Sequence, residues 1–230
     1  MTMIDINIQT VRARMAAACQ AAGRGPADVA LLAVSKTFGP DAVEEAYACG
    51  QTAFGENYIQ EAVQKITQLR HLPLQWHCIG PIQSNKTRLV AEHFDWVHTV
   101  DRLKVAQRLS EQRPAGLAPL QVCIQVNVDG GETKSGVRPE DALALAQQVA
   151  ALPNLRLRGL MSIPEPAPDF VAACALFTRA RALFDALNAA GLALDTLSMG
   201  MSADMEAAIH SGSTMVRVGS AIFGGRPPAV

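Results

Sequence analysis

The sequence predicts an α/β protein folded as a (β/α)₈ barrel, the TIM barrel, with an extra helix before the first strand. Short apolar runs rich in β-branched residues alternate with amphipathic segments that have helical spacing. This alternation is typical of parallel strands joined by helical crossovers, and eight such units fit a closed barrel better than an open sheet. We expect a single domain over residues 1–230, a usual length for one barrel.

The predicted elements follow one another without a linker or a low-complexity tract. Strands are expected at residues 29–36, 52–57, 74–80, 95–100, 120–128, 155–163, 193–200 and 215–219. Helices are expected at residues 41–49, 59–69, 84–93, 103–112, 139–152, 170–190 and 203–211, and an amphipathic segment at residues 4–22 precedes the first strand. Pro139 in the first turn of one helix, and Gly50 and Gly191 just past the ends of two others, fit the usual chemistry of helix termini.

Composition and charge exclude several classes of protein. The formal net charge is −1 at pH 7, so nothing in it favours nucleic acid or an anionic membrane surface as a partner. The N-terminus lacks a basic stretch followed by an apolar core, and no apolar run reaches membrane-spanning length without a charge or a Pro/Gly break. The five cysteines are scattered without metal-ligand spacing. We expect a cytoplasmic monomer with free thiols, no metal, and no membrane or nucleic-acid partner.

Polar and small residues recur at the predicted C-terminal ends of the strands, where this fold places its binding sites. These ends carry Lys36, Asn57, Gly80, Asn127, Ser162, Gly200 to Ser202 and Arg217 to Ser220. A lysine amine that condenses with an aldehyde, together with separate phosphate-binding backbone, is what a pyridoxal phosphate site requires. Ser202 precedes a predicted helix, whose first N–H groups favour an anion, and Gly219 has no Cβ to obstruct one. The sequence therefore predicts a protein that holds this cofactor.

Several of these residues keep a second interpretation. Lys36 is either a solvated charge at a strand end or, after the apolar residues 31–34, a nucleophilic amine in buried surroundings. Arg217 could form a rim salt bridge or donate to the pyridine nitrogen of the cofactor. His77 could be a core histidine, a packing residue or a donor to the ring oxygen of the cofactor. Lys134 could be a solvated charge or a second aldehyde-reactive amine in cofactor exchange.

Seven stretches of sequence carry a resemblance to a known family. They lie at residues 34–37, 54–58, 76–86, 127–128 with 132–136, 158–161, 197–204 and 216–224. The run from Trp76 to Lys86 and the run from Leu197 to Asp204 are among them. On these motifs the chain resembles the pyridoxal phosphate homeostasis protein family, the single-domain relatives of the alanine racemase N-terminal barrel.

The resemblance implies a (β/α)₈ barrel that binds pyridoxal 5'-phosphate as an internal aldimine to Lys36. It also implies roles for Asn57 beside the ring, Arg217 near the ring nitrogen, and Met201, Ser202, Gly219 and Ser220 at the phosphate. The family is regarded as binding and distributing the cofactor, with no established catalytic turnover. The implied role is intracellular vitamin B6 homeostasis, with apo-enzymes that depend on pyridoxal phosphate as partners.

An amino-acid racemase or another pyridoxal phosphate enzyme is the alternative function. Enzymes that use the ring as an electron sink usually place a carboxylate on the pyridine nitrogen, whereas the permanent charge of Arg217 would keep that nitrogen unprotonated. Alanine racemases also carry a phosphate-contacting tyrosine where this chain has Pro40, and they use a second base from another domain. This chain has only Tyr47 and Tyr58, and we expect no substrate-closing domain after Val230. The sequence therefore favours a cofactor carrier.

Overall fold

The strands close into a barrel in which neighbouring strands are parallel. The computed structural model describes residues 2–131 and 135–225. The strands are Ala30–Val34 (β1), Ala53–Glu56 (β2), Gln75–Cys78 (β3), Trp96–Val100 (β4), Leu120–Gln125 (β5), Leu155–Met161 (β6), Thr196–Met201 (β7) and Met215–Val218 (β8). Their order around the barrel follows the chain, and β8 pairs with β1. This confirms the predicted (β/α)₈ barrel.

Helices surround the barrel and follow the strands in turn. They are Met3–Ala21 (α1), Pro40–Ala48 (α2), Ile59–Gln68 (α3), Thr87–His93 (α4), Leu103–Gln112 (α5), Pro139–Ala150 (α6), Phe170–Ala189 (α7), Met205–His210 (α8) and Ser220–Phe223 (α9). Short 3₁₀ helices at Pro26–Asp28 and Ser84–Lys86 precede β1 and α4. The predicted extra helix is α1, which packs against α2, α8 and α9.

Strand residues alternate between two apolar environments, as the pleat of a strand requires. Along β1, Ala33 faces the large core between the strands and the helices, while Leu32 and Val34 face the barrel interior. The interior holds two small apolar groups, Leu32, Val34, Ile79 and Met215 in one and Trp96, Cys123 and Met161 in the other. Buried polar side chains also lie in this interior, among them His77, His98, Ser198 and Arg217.

Element ends differ from the predicted bounds by a few residues, and two differences affect the mouth of the barrel. β1 ends at Val34, ahead of Lys36, and Thr37 turns the chain with a φ of 68°. The helix predicted from residue 203 begins at Met205, with Asp204 as its N-cap. Ser202 therefore lies in a turn before the helix and not at the helix start that the sequence predicted.

Within residues 2–131 and 135–225, no helix has the length and apolar character needed to cross a membrane. The same residues contain no group of three or more His, Cys, Asp or Glu side chains placed to hold a metal ion. The five cysteines are free.

Candidate cofactor site

A cavity of about 580 Å³ opens at the C-terminal ends of the strands. Its walls include every residue that the sequence predicted for cofactor binding, namely Lys36, Asn57, Met201, Ser202, Arg217, Gly219 and Ser220. Val34, Ile79 and Ile163 add apolar surface. Phe38 lines the same cavity and stacks on Phe223, with ring centroids 5.2 Å apart. The volume lies in the range of small-molecule sites, about 300–1,000 Å³.

Not every residue at a predicted strand end lines the cavity; Gly80, Asn127 and Ser162 are among those that do not, and two of these three support its walls. A Cβ on Gly80 would lie 2.3 Å from the carbonyl oxygen of Asn57, so the loop that positions Asn57 requires glycine there. Ser162 is fully buried, and its carbonyl oxygen accepts a hydrogen bond from Arg217. Asn127 instead makes two hydrogen bonds within the loop that follows β5.

Lys36 lies half-buried in a turn whose conformation is fixed by its neighbours. The next residue, Thr37, has a φ of 68°, which is uncommon for a β-branched residue. Its amide donates a hydrogen bond to Glu61 Oε1 of α3 at 3.0 Å. Such a backbone conformation costs about 1–3 kcal/mol and persists only where the surrounding structure holds it. The fold therefore tolerates strain directly beside the predicted cofactor lysine.

A buried ion pair anchors the residue on the other side of Lys36. Glu56 at the end of β2 and Lys65 of α3 are 0% and 3% exposed, with Lys65 Nζ 2.6 Å from Glu56 Oε1. Lys65 Nζ also donates to the Ser35 carbonyl at 2.9 Å, and the Ser35 hydroxyl donates to Glu56 Oε1 at 2.5 Å. Burial raises the pKa of Glu56, while Lys65 and Ser35 act to lower it. These contacts tie the end of β1 to β2 and α3.

The first of two small-residue turns at the cavity follows β7. Gly200 has a φ of 96°, and a Cβ there would lie 2.4 Å from the Cβ of Ala208, so only glycine fits. The Met201 amide donates to Asp204 Oδ1 at 2.6 Å, which closes the turn. Because that amide already has a partner, Ser202 is the more available donor of this turn.

The extra helix α1 supports this turn from behind. Arg14 donates a hydrogen bond to the Ser202 carbonyl at 3.1 Å. The same guanidinium forms an ion pair with Glu206 of α8, with an N–O distance of 2.8 Å. Arg14 thus connects α1 to both the turn and the helix that follows it.

The second turn joins β8 to α9. A Cβ on Gly219 would lie 3.2 Å from the Val34 carbonyl oxygen and 3.3 Å from the Val34 Cβ, so a larger residue would crowd β1. Ser220 begins α9, and the first amides of a helix have no intrahelical acceptor. The turn therefore offers backbone donors and a close approach to an anion in the cavity.

Arg217 is 4% exposed and reaches the cavity from inside the barrel. Its Nη1 donates to Ser198 Oγ at 2.7 Å and its Nη2 to the Ser162 carbonyl at 3.1 Å, which leaves other N–H donors of the guanidinium for a ligand. Burial lowers the pKa of Arg217 to about 10, so it remains charged at neutral pH. Among the residues that the structure describes, its hydrogen-bond partners are these two serines and not the rim carboxylate of a salt bridge.

His77 lies in the barrel interior and not in the cavity wall. Its Nδ1 is 2.8 Å from His98 Nε2, and its Nε2 is 2.9 Å from Gln75 Oε1. The ring stacks on Trp96 at 5.1 Å between centroids. Burial lowers the pKa of His77 to about 3, and burial with the nearby charges lowers that of His98 well below its usual range. Both imidazoles are therefore neutral at pH 7, which supports the core interpretation of His77.

The residues at the mouth fit pyridoxal phosphate. Lys36 supplies an amine, and the two turns supply donors for a phosphate group. Asn57 Oδ1 is buried without a hydrogen-bond partner among the described residues, so its carboxamide can serve a ligand. The apolar walls suit a planar ring. When bound, such a group would supply a reactive aldehyde to Lys36.

Comparison with known proteins identifies the class of protein to which the chain belongs. The family model described as the N-terminal domain of alanine racemase matches residues 6–227, in agreement with the barrel. The pyridoxal phosphate homeostasis protein of Pseudomonas aeruginosa is 63% identical over 226 residues, which cover 98% of this chain and 97% of the relative. That of Escherichia coli K12 is 52% identical over 229 residues, with 98% of each chain covered. The chain belongs to the pyridoxal phosphate homeostasis protein family.

A solved structure adds a bound cofactor to the comparison. PipY of Synechococcus elongatus, solved with PLP bound, is 38% identical to this chain. The match covers 96% of this chain and 100% of PipY, with a TM-score of 0.84.

Sequence reasoning missed the residues that act on the site from outside the cavity. Lys65 lies on the apolar face of α3 with Ala62 and Ile66, and a lysine in an apolar stripe was the available signal for a buried charge pair. The signal for His98 and Ser198 was weaker, since a strand pattern does not reveal which side chains meet across the barrel. Lys134, for which a role in exchange stayed open, lies outside the described residues.

Proposed function

We propose that this protein binds pyridoxal 5'-phosphate covalently through Lys36 and supplies it to enzymes that need it, as part of intracellular vitamin B6 homeostasis. One observation carries the proposal: Lys36 and two phosphate-compatible turns line the same cavity. The cofactor-bound structure of PipY supports the ligand, and the names of the relatives support the role. A cytoplasmic location, a monomeric state and apo-enzyme partners belong to this proposal.

Each predicted residue has a role in this arrangement. Lys36 Nζ would condense with the aldehyde carbon and the aldehyde oxygen would leave as water, while Asn57 would lie beside the ring. Ser202, Gly219 and Ser220 would be the main donors to the phosphate, with Met201 beside it in the same turn as Ser202, and Arg217 would donate to the ring nitrogen. The bond from a lysine to an aldehyde is reversible, so hydrolysis or capture by another amine is sufficient for release.

The composition of the cavity argues against amino-acid turnover. An arginine donor at the ring nitrogen disfavours the protonated, electron-withdrawing form of the ring. Among the described residues that line the cavity there is no Asp, Glu, His, Cys or Tyr to act as a second acid or base beside Lys36. Tyr58, which follows Asn57, is 49% exposed and lies outside the cavity wall. A racemase would need such a group on the opposite face of its substrate.

Two measurements separate a carrier from an enzyme. Incubation of the loaded protein with a panel of L-amino acids, followed by chiral and keto-acid analysis, should show no multiple turnover. Mixing the loaded protein with an apo-transaminase, in the presence of a trap for free pyridoxal phosphate, should restore more activity than an equal amount of free cofactor. Multiple turnovers would support the racemase alternative, and recovery that the trap abolishes would leave only a buffering role.

Substitutions in the two small-residue turns, after β7 and after β8, are expected to weaken the binding of pyridoxal phosphate by different amounts. Ser202→Ala should weaken binding of pyridoxal phosphate by about 1–3 kcal/mol, the usual loss for a hydrogen bond to a charged group. Gly219→Val should weaken it more, because its side chain would crowd both Val34 and the phosphate. Equilibrium dialysis measures both, with Ser84→Ala, in the 3₁₀ helix before α4, as the control. Equal affinity of the wild type for pyridoxal and its phosphate ester would refute the phosphate assignment.

A further inference from the structure

A continuous line of hydrogen bonds crosses the barrel interior and ends at the cofactor cavity. From Arg217 it runs through Ser198, His98 and His77 to Gln75, with successive distances of 2.7, 2.9, 2.8 and 2.9 Å. Ser198, His98 and His77 are fully buried. Gln75 is the first residue of β3 and is exposed at the opposite end of the strand from the cavity. We call these five residues the interior column.

The donor and acceptor groups of the interior column fix the direction in which its hydrogen bonds are donated. A guanidinium only donates, so Ser198 Oγ accepts from Arg217. The proton of the buried Ser198 hydroxyl then needs an acceptor, and among the described residues the one within hydrogen-bond distance is His98 Nδ1. His98 therefore carries its proton on Nε2 and donates to His77 Nδ1, and His77 donates from Nε2 to Gln75 Oε1. The reverse direction would leave the Ser198 proton buried without a partner, which is costly.

This direction allows one arrangement of protons. Ser198, His98 and His77 each accept one hydrogen bond and donate one, between the donor Arg217 and the acceptor Gln75 Oε1. Hydrogen bonds of one direction polarise and strengthen one another. A proton added to either imidazole would turn an accepting nitrogen into a donor that faces another donor. It would also place a second positive charge in the interior that holds Arg217. The interior column is therefore complete only with both histidines neutral.

We propose that the interior column positions Arg217, so that its guanidinium presents a fixed donor to the ring nitrogen of the bound cofactor. The part that concerns the cofactor rests on the proposed function. Ser198 is the side-chain acceptor that fixes Nη1, and the Ser162 carbonyl fixes Nη2. Without Ser198 the guanidinium would keep one of these two anchors and could rotate away from the ring. His98, His77 and Gln75 act through Ser198 and are positioning residues.

The first test needs no cofactor. Two-bond ¹H–¹⁵N correlation spectra of the cofactor-free protein, labelled with ¹⁵N-histidine, identify the tautomer of each imidazole. The interior column predicts protons on Nε2 of both His77 and His98, unchanged from pH 7.5 to pH 5.5. His71, an exposed imidazole whose Nε2 lies 3.5 Å from Glu44 Oε1, serves as the internal reference for a ring outside the barrel interior. A proton on Nδ1 of either buried histidine, or an imidazolium in this pH range, would overturn the direction and with it the proposal.

The second test measures the ¹⁵N chemical shift of the ring nitrogen in the bound cofactor. With pyridoxal phosphate labelled by ¹⁵N at that nitrogen, Ser198→Ala should change its chemical shift and raise the dissociation constant about tenfold, the scale of a lost charged hydrogen bond. Ser198→Thr keeps the hydroxyl and should restore both readouts toward the wild type. Ser110→Ala removes another buried hydroxyl, on α5 outside the barrel, and should leave both unchanged.

The outcomes separate the two proposals. Failure of the wild type to bind pyridoxal phosphate would reject the proposed function, while the tautomers would still decide the direction of the interior column. A different result is that the wild type binds pyridoxal phosphate while Ser198→Ala leaves both the ¹⁵N chemical shift of the ring nitrogen and the dissociation constant unchanged. That result would reject the positioning role alone. Should Ser198→Ala fail to fold, the wild-type tautomers and Ser198→Thr still test the proposal.

Discussion

Lys36→Ala is expected to abolish covalent attachment of pyridoxal phosphate. The visible chromophore of the loaded protein should disappear, and borohydride should fix no cofactor to the chain, because the amine that we propose bonds the aldehyde is gone. Weak, non-covalent binding of pyridoxal phosphate through the two small-residue turns should remain, since Ser202, Gly219 and Ser220 are unchanged. Absorbance spectra before and after borohydride treatment measure the effect.

A matched lysine variant controls for loss of charge. Lys104 is exposed on α5, away from the cavity, and Lys104→Ala should retain the full chromophore. Circular dichroism should show the same fold in both variants, because Lys36 lies in a turn after β1 and not within a strand. A chromophore that survives in Lys36→Ala would show that another amine holds the cofactor.

Lys65→Met is expected to cost about 3–5 kcal/mol of the free energy of unfolding, the usual loss when one partner of a buried ion pair is removed. It leaves Glu56 without its cation in a fully buried position and removes the bond from Lys65 Nζ to the Ser35 carbonyl. Urea unfolding at pH 7 measures this loss. Because Ser35 precedes Lys36, affinity for pyridoxal phosphate should fall as well.

The pH dependence and two further variants test that explanation. Without Lys65 the pKa of Glu56, already raised by burial, should rise further. The native state then binds a proton that the unfolded state does not, so the deficit relative to the wild type should shrink as the pH falls from 8 towards 5. Lys65→Met combined with Glu56→Gln should recover much of the loss at pH 7.

Arg138→Met is the matched control, since it breaks an exposed pair. Arg138 and Asp141 are 71% and 56% exposed, and such pairs contribute about 0–1 kcal/mol. A loss in Lys65→Met as small as that in Arg138→Met, with no pH dependence of the difference, would contradict the role assigned to the buried pair.

Local sequence patterns were sufficient to predict the barrel and the residues around its mouth. Alternation of strands and helices is a local signal, and a parallel barrel places every strand end on the same rim, so Lys36 and Gly219 could be brought together without coordinates. The ends of elements were less accurate. The Asp204 side chain closes a turn before α8, and this moved Ser202 away from the predicted helix start.

Contacts between distant parts of the chain could not be read from the same patterns. His98 and Ser198 are 100 positions apart, and their meeting depends on how residues from different strands pack across the barrel interior. Arg14 reaches the Ser202 carbonyl across 188 positions. Each of these residues looks ordinary in its own segment, and its role appears only when the tertiary structure gives it a partner.

Peptide mapping of the wild-type protein after borohydride reduction tests the central claim most directly. The protein is loaded with pyridoxal phosphate, reduced, digested and analysed by mass spectrometry. We predict a single dominant phosphopyridoxyl adduct on Lys36. A dominant adduct on any other lysine, or no adduct under conditions where the chromophore is present, would contradict the assignment of this cavity as the cofactor site.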